Sequence, residues 1–386
     1  MNRLLLLFVV LLSTVSVFAQ SEEYSILVRD IETLEPIENA TVVILKTKQV
    51  LMTNEDGKVT FVLSGGSNVE VSEMNYEDLT IRWASLKENE FVVYLKNKKE
   101  NLDEVVVSNE NLQKTLQKIV ANSKQKISVS HRLKVYVREF FMLDNQYSYY
   151  NDGLVNFQFN KNNSTTLLVE QNRSYGLLDT TDVSADLMGY NLNNIMENYS
   201  SFKYFDPLLD SKSKKEYDFT VKGHSKNKEY YVMSVSPLDK AKEAIDNFEI
   251  IYDPIKKIIL EFTISVTPAS LDKIEDKTGT GDKNITKSFV KVNYRCDGTD
   301  YYLLSSNEEI GYRVVLKDKP KNIQVRNSFV TTEFNKQNFT YSESDVFKEK
   351  SLFNKRNKIL TNYWDISGFT ATDEEKAIIA SLEFKL

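Results

Sequence analysis

The sequence of 386 residues has one cysteine, two histidines, six prolines and twelve glycines. So few cysteines and histidines leave little material for a zinc site or another site built from thiolate and imidazole ligands. The low glycine and proline content, beside 21 tyrosines and 21 phenylalanines, excludes a collagen-like or disordered chain. The length instead predicts two or three globular domains, each large enough to bury a core.

The chain also lacks an excess of basic residues. Its 49 Lys and Arg are outnumbered by 55 Asp and Glu, and the two signs are interleaved, so we expect no basic patch of the kind that binds nucleic acid. The lone Cys296 cannot form an internal disulfide. Its alternation with Val292 and Tyr294 makes it a strand residue or an exposed thiol, and we favour a buried strand position.

Beyond the N-terminus, no apolar run approaches the length that spans a membrane. Arg3 is followed by the apolar run 4–12 and then by Val17-Phe18-Ala19. This order predicts a secretory signal peptide, residues 1–19, because nine apolar residues are too few for a span of roughly 20. An exported chain without an internal disulfide fits the bacterial periplasm, or the periplasmic face of the outer membrane.

Residues 20–98 have the pattern of a β-sandwich. Seven short runs rich in β-branched residues follow one another closely: YSILV, TVVIL, VLMT, KVTFVL, NVEVSE, DLTIRW and EFVVYL. Between the third and fourth runs, Asp56-Gly57 predicts a hairpin turn, because this pair tolerates positive φ.

Residues 99–128 are predicted as a linker followed by an amphipathic helix over about 109–126, where apolar residues recur at helical spacing. The linker contains LDEVVVS, residues 102–108. This segment is either a strand offered to a partner by β-augmentation or an internal strand or ordered linker, and we favour the second interpretation.

Residues 129–350 are predicted as an antiparallel β domain. They contain about eleven strand-like runs, with YYLLSS (301–306) and GYRVVLK (311–317) counted separately, and turns at Asp253-Pro254 and Asp297-Gly298 favour a meander. An irregular helix is expected over about 184–209.

The C-terminal tail, residues 351–386, is predicted to contain a short helix. Thr372 precedes Asp373-Glu374-Glu375, an arrangement typical of a helix N-cap followed by acids in the first turn. The fold class is therefore mainly β: a seven-strand β-sandwich, then one helix and a large antiparallel β meander or partly open barrel.

The first domain resembles the carboxypeptidase regulatory-like domain, a transthyretin-like seven-strand sandwich. The matching segments are 28–44 (VRDIETLEPIENATVVI), 53–61 (TNEDGKVTF) and 74–78 (MNYED). The resemblance spans about 85 of the 386 residues, although glycines frequent in the family are missing near residue 38 and at Asn75. Similar domains precede outer-membrane TonB-dependent transporters, often with a segment like LDEVVV. The resemblance implies an envelope protein and no peptidase activity, because it concerns only an accessory sandwich. The second domain is too small for such a transporter and looks similar, more loosely, to exported half-barrels of the lipoprotein-carrier type.

No recognisable catalytic set is present in the sequence. His131 and His224 have no acid at the spacing of a zinc peptidase, so we expect them to be surface or loop residues. There is no G-x-S-x-G or phosphate-binding loop, and Gly279 and Gly281 fall in a polar segment. We therefore predict a protein that is not an enzyme, with no catalytic, cofactor-binding or metal-binding residues and no cofactor.

Two weaker features have alternative interpretations. The acids of loop 271–284 are calcium ligands or belong to a solvated loop, which we favour. An aromatic series could form a sugar-stacking face or line an apolar groove, or could simply reflect the preference of strands for aromatic residues, which we favour. The series comprises Tyr147, Tyr149, Tyr150, Phe157, Phe159, Tyr230, Tyr231, Tyr301 and Tyr302.

The leading hypothesis is a non-catalytic exported cell-envelope protein that binds a protein or glycan partner through the sandwich and the β-rich domain. The alternative is a periplasmic carrier that holds a lipid or other apolar ligand on the concave face of the second domain. An unrecognised hydrolase is the third hypothesis.

Overall fold

The structure is a computed structural model. It describes residues 22–98, 111–127, 129–160, 164–176, 191–211, 215–225, 227–241, 246–271, 283–316, 319–349, 352 and 369–383. These residues form two compact units. The first consists of the described residues within 22–73, 77–96 and 369–370, and the second of those within 74–76, 97–352 and 371–383.

The first unit is a seven-strand sandwich within the described residues, which confirms the sequence-based prediction. Its strands are β1 (Glu22–Asp30), β2 (Thr41–Ile44), β3 (Gln49–Met52), β4 (Lys58–Leu63), β5 (Val69–Ser72), β6 (Leu79–Ile81) and β7 (Val92–Leu95). One sheet has the order β4-β1-β7 and the other β3-β2-β5-β6. A short helix, α1 (Trp83–Glu88), follows β6, so the last residue of the predicted run DLTIRW is helical.

The Asp56-Gly57 turn forms, but the prediction of a hairpin is wrong. Strand β3 pairs with β2 and strand β4 pairs with β1, so the turn carries the chain from one sheet to the other. The Asn54 side chain accepts hydrogen bonds from the backbone amides of Asp56 and Lys58. Gly57 has φ +71°, and an added Cβ would lie 2.5 Å from the Val28 carbonyl oxygen, so packing against β1 requires glycine.

The second unit is built on one antiparallel ten-stranded sheet. Its strands are β8 (His131–Leu143), β9 (Gln146–Phe159), β10 (Thr165–Gly176), β11 (Tyr217–His224), β12 (Asn227–Pro237), β13 (Asp246–Asp253), β14 (Ile258–Val266), β15 (Lys283–Asp297), β16 (Asp300–Leu316) and β17 (Lys319–Asn335). The order is β10-β9-β8-β17-β16-β15-β14-β13-β12-β11. Because β8 pairs with β17, two meanders join into one sheet, which in the described part of the chain is open, with β10 and β11 at its edges.

The predicted meander is confirmed, but two runs that were predicted as separate strands form a single strand. The runs YYLLSS and GYRVVLK both belong to β16, which is 17 residues long. The polar residues 307–309 separate these runs in the sequence, yet they pair with β15 and with β17 without a break in register. Polar residues within a strand were therefore mistaken for a break between strands.

Helices cover one face of this sheet, here called the helix-bearing face. They are α2 (Leu112–Ile127), α3 (Leu192–Ser201), a 3₁₀ turn (Lys203–Phe205) and α4 (Asp206–Leu209), together called the helical layer; a further short helix, α5 (Pro268–Leu271), follows β14. Phe202 and Phe205 are fully buried in the core that the layer shares with the sheet. Gln113 of α2 donates a hydrogen bond to the Leu208 carbonyl oxygen at 3.0 Å, which ties α2 to α4.

The opposite face of the sheet carries the C-terminal helix α6 (Asp373–Glu383). Its first turn is closed by a reciprocal cap in which the Glu375 amide donates to Thr372 Oγ1 and the Thr372 amide donates to the Glu375 carboxylate, each at 3.1 Å. The predicted N-cap is thus confirmed. Leu382 is fully buried against Phe140 and Tyr150, so this part of the tail packs on the sheet.

Buried ion pairs fix α6 to the sheet. Arg138, only 3% exposed, lies 2.9 Å from Glu375, and Arg326 lies 3.1 Å from the same carboxylate. On the neighbouring strands, Asp152 pairs with Arg173 at 2.9 Å. A buried charge is tolerated only with such partners, so the attachment of α6 depends on Glu375.

We expect Glu375→Gln to lower the free energy of unfolding of the second unit by about 3 kcal/mol, because it removes the carboxylate that pairs with both the buried Arg138 and Arg326. Urea denaturation measures the loss, and hydrogen exchange shows whether the α6 amides lose protection first. Glu374→Gln is the matched control, since Glu374 is exposed on the same turn and its replacement should change stability by less than about 0.5 kcal/mol. Equal losses in the two variants would contradict the assignment.

Candidate functional site

Five adjacent strands each contribute one polar residue to a single row on the helix-bearing face. Across the sheet from β10 to β16 the row is Ser174, Asn151, Glu139, Asn327 and Glu308, and each residue is the direct register partner of the next. These five residues are called the polar row. They share a face with core residues of the same strands because side chains of a strand alternate between its two faces.

The rows on either side of the polar row are mostly apolar. One contains Val137 and Phe329, and the other contains Phe141 and Val325, all of which belong to the core beneath the helical layer. Two polar residues are exceptions: Ser306, which adjoins Glu308 along β16, and Asn172, which adjoins Ser174 along β10. The polar row therefore crosses an interior that is mainly hydrophobic.

The polar row is withdrawn from solvent. Asn151 has no exposed surface, Glu139 is 1% exposed, and Asn327 and Glu308 are each 2% exposed. Only Ser174, on the edge strand, is half-buried. Polar groups this deeply buried need hydrogen-bond partners inside the protein, from ordered water or from a ligand.

Glu308 is the member of the row that contacts the helical layer. The Tyr204 hydroxyl donates to its Oε1, and Asn327 Nδ2 donates to its Oε2 at 3.2 Å. The Tyr204 ring stacks on Tyr199 of α3 with ring centres 5.7 Å apart. Burial raises the pKa of Glu308 above its ordinary value, while the hydrogen bonds from Tyr204 and Asn327 oppose that rise. The same burial, with the nearby Glu308, raises the pKa of Tyr204.

Several polar atoms of this region have no hydrogen-bond partner among the described residues. They are Nδ2 and Oδ1 of Asn151, Oδ1 of Asn327, and the hydroxyl oxygens of Ser174 and Ser306. Each buried polar atom left without a partner costs about 1–3 kcal/mol. Five such atoms on one face indicate a place where water or a ligand supplies the missing hydrogen bonds.

The opposite face provides a comparison within the same strands. There Arg173, Asp152 and Arg138 are also register neighbours. The Asp152 carboxylate accepts hydrogen bonds from Arg173 and from the hydroxyls of Tyr136 and Tyr150. The charges of this row are neutralised inside the protein, although Oδ1 of Asn156 and Nε2 of Gln158 on the same face have no hydrogen-bond partner among the described residues. The polar row contains no such charge pair.

The aromatic series predicted from the sequence does not form one stacking surface. Tyr149, Phe157, Phe159, Tyr301 and Tyr302 are buried in the core of the helix-bearing face. Tyr150 is buried on the opposite face with Tyr147 packed beside it, and Tyr230 and Tyr231 are half-buried at the rim of the core. The series fits the favoured interpretation, in which strands select aromatic residues for packing.

The prediction that the two histidines are surface or loop residues is wrong. His131 begins β8 and is 3% exposed, and His224 ends β11 and is 7% exposed. His131 stacks on Phe159 with ring centres 4.2 Å apart, and burial lowers its pKa. The error arose because both residues lie at strand ends, where the sequence pattern does not distinguish a strand from a loop.

Cys296 lies in β15, as predicted, but is only half-buried, with its thiol 3.7 Å from the Gly298 carbonyl oxygen. No group of three or more His, Cys, Asp or Glu residues in the described part of the chain could hold a metal ion. The acids at 272–282 of the calcium-loop hypothesis, LDEVVVS and the signal peptide lie outside the described residues. None of the described helices is both long and apolar enough to cross a membrane.

The sequence analysis missed the polar row, although the sequence contains a signal for it. Glu139 follows Val135 and Val137 at spacings of two and precedes Phe141, so it occupies a position where the alternation demands an apolar residue. Asn327 interrupts β17 in the same way. The feature that would have identified the site is a polar residue at a strand position where the alternation predicts an apolar side chain.

No protein-family model matches this sequence, and no curated protein matches it. Among solved structures, the chain is similar to one of lipovitellin concerned with lipid–protein interactions, at 9% identity and a TM-score of 0.24, over 55% of this chain and 26% of lipovitellin. It is also similar to a Bacteroides fragilis protein described as membrane-associated and of unknown function, at 8% identity and a TM-score of 0.14, over 82% of this chain and 99% of that one. Both TM-scores are too low to carry an argument.

We expect Glu308→Gln to stabilise the protein relative to the wild type by an amount that grows with pH. Because the folded-state pKa is raised, the carboxyl favours folding only below its ordinary pKa of about 4.5, and that contribution is lost as pH rises through the folded value. Glutamine has no charge to bury. Its oxygen can accept from Tyr204, and its Nε2 can donate to Oδ1 of Asn327 once the Asn327 amide turns over. Urea denaturation of both proteins from acidic to neutral pH measures the difference.

The control for this prediction is Glu309→Gln. Glu309 is the next residue of β16, points to the opposite face and pairs with Lys287 at 2.7 Å. Its replacement should not stabilise the protein at neutral pH, because it removes a counter-charge. A Glu308→Gln variant whose stability follows the wild type at every pH would contradict a buried, hard-to-ionise carboxyl.

Proposed function

We propose that this chain is a non-catalytic, exported protein of the cell envelope whose second unit binds an amphiphilic ligand between the helical layer and the sheet. The observation that carries the proposal is the polar row: buried hydrogen-bonding atoms without partners among the described residues, inside a hydrophobic core. An amphiphile requires both features, apolar surroundings for its chain and a few polar groups for its head.

Ligand binding requires the helical layer to separate from the sheet. The described residues form a packed state in which Phe202 and Phe205 fill the space against the sheet. Several polar contacts hold the layer on the sheet: the Thr165 amide of β10 donates to Glu197 of α3 at 2.9 Å, and the Ile259 amide of β14 donates to Ser123 of α2 at 3.0 Å. Two further contacts involve tyrosines: Tyr204 on Glu308, and the Tyr294 hydroxyl on the Tyr199 carbonyl oxygen at 2.8 Å. These tyrosines are the residues whose contacts would break when a ligand enters.

Most of the helical layer lies in one connection of the chain, whereas α2 lies just before β8. Residues of α3, the 3₁₀ turn and α4 belong to the connection between β10 and β11, the two edge strands of the described sheet. A connection between edge strands can move without disturbing the pairing of neighbouring strands. This supports a carrier more than a rigid structural role.

The remaining parts of the proposal rest on the sequence. Export relies on the signal peptide 1–19, and envelope location relies on that peptide and on the resemblance of residues 20–98 to the regulatory-like domain. A non-enzymatic role relies on the missing catalytic motifs. The hypothesis of a protein or glycan partner stays a prediction, since the LDEVVVS segment lies outside the described residues.

We expect Asn151→Leu to stabilise the ligand-free protein and to abolish ligand binding. Leucine replaces two buried polar atoms that lack partners by methyl groups of similar size, so the free energy of unfolding should rise by about 1–3 kcal/mol, while the head group of the ligand loses its hydrogen-bond partner. Urea denaturation measures stability. Native mass spectrometry of the full chain, titrated with dodecan-1-ol, measures a one-to-one complex.

Asn307→Leu is the matched control on the opposite face of the sheet. Asn307 accepts a hydrogen bond from Ser328 at 2.7 Å, so its replacement should destabilise the protein by about 1 kcal/mol and leave dodecan-1-ol binding intact. Failure of the wild type to bind dodecan-1-ol would count against the proposal. So would unchanged binding by Asn151→Leu, because the ligand would then occupy another part of the molecule.

A further inference from the structure

The ionisable side chains of the polar row are both carboxyl groups. Glu139 and Glu308 flank Asn327, and Glu139 is the register partner of Asn151. In the polar row and the two rows beside it on strands β8, β9, β10, β16 and β17, the described residues of the helix-bearing face include no Lys, Arg or His. These neighbouring residues are Asn172, Gly153, Val137, Phe329, Ser306, Gly176, Tyr149, Phe141, Val325 and Ile310.

The basic residues of these strands lie on the other face. Arg138 and Arg326 are held by Glu375, and Arg173 is held by Asp152. Alternation along the strands separates them from the polar row by the thickness of the sheet. A negatively charged group at the polar row would therefore meet two carboxyl side chains and no cation from these strands.

Two of the unpaired atoms of the polar row need a hydrogen-bond donor as their partner. Oδ1 of Asn151 and Oδ1 of Asn327 are acceptors without a donor among the described residues, and the hydroxyl of Ser306 can also accept. Asn327 has already committed its Nδ2 to Glu308. Asn151, which has no exposed surface, is unpaired at both side-chain atoms directly beside Glu139. Of the five open atoms, two are acceptors only, two are hydroxyls that accept or donate, and Nδ2 of Asn151 is a donor. A hydroxyl or ammonium group can therefore satisfy the two carbonyl oxygens.

We propose that the polar row selects the head group of the ligand: it accepts a hydrogen-bond donor, a hydroxyl or an ammonium group, and rejects a carboxylate or phosphate. This inference rests on the proposed function and gives it a ligand class, an amphiphile with an uncharged or cationic head. Burying an anion beside two carboxyl groups without a counter-charge is strongly unfavourable, whereas a donor satisfies acceptors that are otherwise unpaired.

The test compares three probes with the same alkyl chain: dodecan-1-ol, dodecylamine and dodecanoate. Each is titrated into the full chain at neutral pH, below its aggregation concentration, and complexes are quantified by native mass spectrometry and calorimetry. We expect the alcohol and the amine to bind at least about tenfold more tightly than dodecanoate. Because the chain is constant, any difference reports the head group.

Glu139→Gln separates the contribution of charge. It should weaken dodecylamine binding at least about tenfold while dodecan-1-ol binding stays within experimental error, because glutamine still accepts a hydrogen bond. Glu309→Gln is the control on the opposite face and should change neither affinity. Thermal unfolding of each variant establishes that it is folded before binding is compared.

The outcomes distinguish the two proposals. If dodecanoate binds as tightly as dodecan-1-ol, the head-group inference is overturned while the proposed function stands. If none of the three probes binds, the proposed function also fails, and the polar row holds ordered water only. If Glu139→Gln weakens all three probes equally, Glu139 has a structural role and charge selection by that residue is excluded.

Discussion

The two-residue turn Asp144-Asn145 controls the register on which the second unit depends. Both residues have positive φ, +50° and +64°, the conformation of a tight hairpin turn, and they align β8 with β9. The Asp144 carboxylate also accepts the Asn322 amide at 3.0 Å and pairs with Lys321 at 2.9 Å, which aligns β8 with β17. A shift of one residue here would exchange the two faces, bringing Arg138 into the core and turning Glu139 outward.

In this register the polar row is buried, and the burial of its unpaired polar atoms opposes folding. The aromatic core opposes that penalty: Tyr204 and Phe205 pack on Phe262, with ring centres 6.0 and 4.9 Å apart, and Phe202 packs on Tyr294 at 5.0 Å. Large buried aromatic side chains contribute most of the apolar area removed from water. The same contacts hold the helical layer closed, so the strength of this core determines how easily a ligand can displace it.

The sequence predicted the architecture better than the site, for a physical reason. Alternation identifies strands from the majority of their residues, which is why both the sandwich and the meander were predicted, and Thr372 was recognisable because capping is local. The site consists of the exceptions to alternation, and Asn327 is meaningful only beside Glu139 and Glu308, residues far from it in the chain. Pairings across β8, β17 and β16 depend on long-range register, which no local pattern contains. The buried histidines and the unbroken strand β16 were missed because local polarity outweighed tertiary context.

The two faces of β8 and β9 together argue that the polar row is functional. Arg138 and Asp152, one residue from Glu139 and Asn151, are as deeply buried, yet their charges are neutralised by Glu375 and by Arg173. The fold can therefore neutralise buried charges on these strands. A leucine at residue 151 would fit the alternation and would make the folded protein more stable. A residue that opposes folding and is left with open hydrogen-bonding atoms is explained most simply by a molecule that completes those bonds.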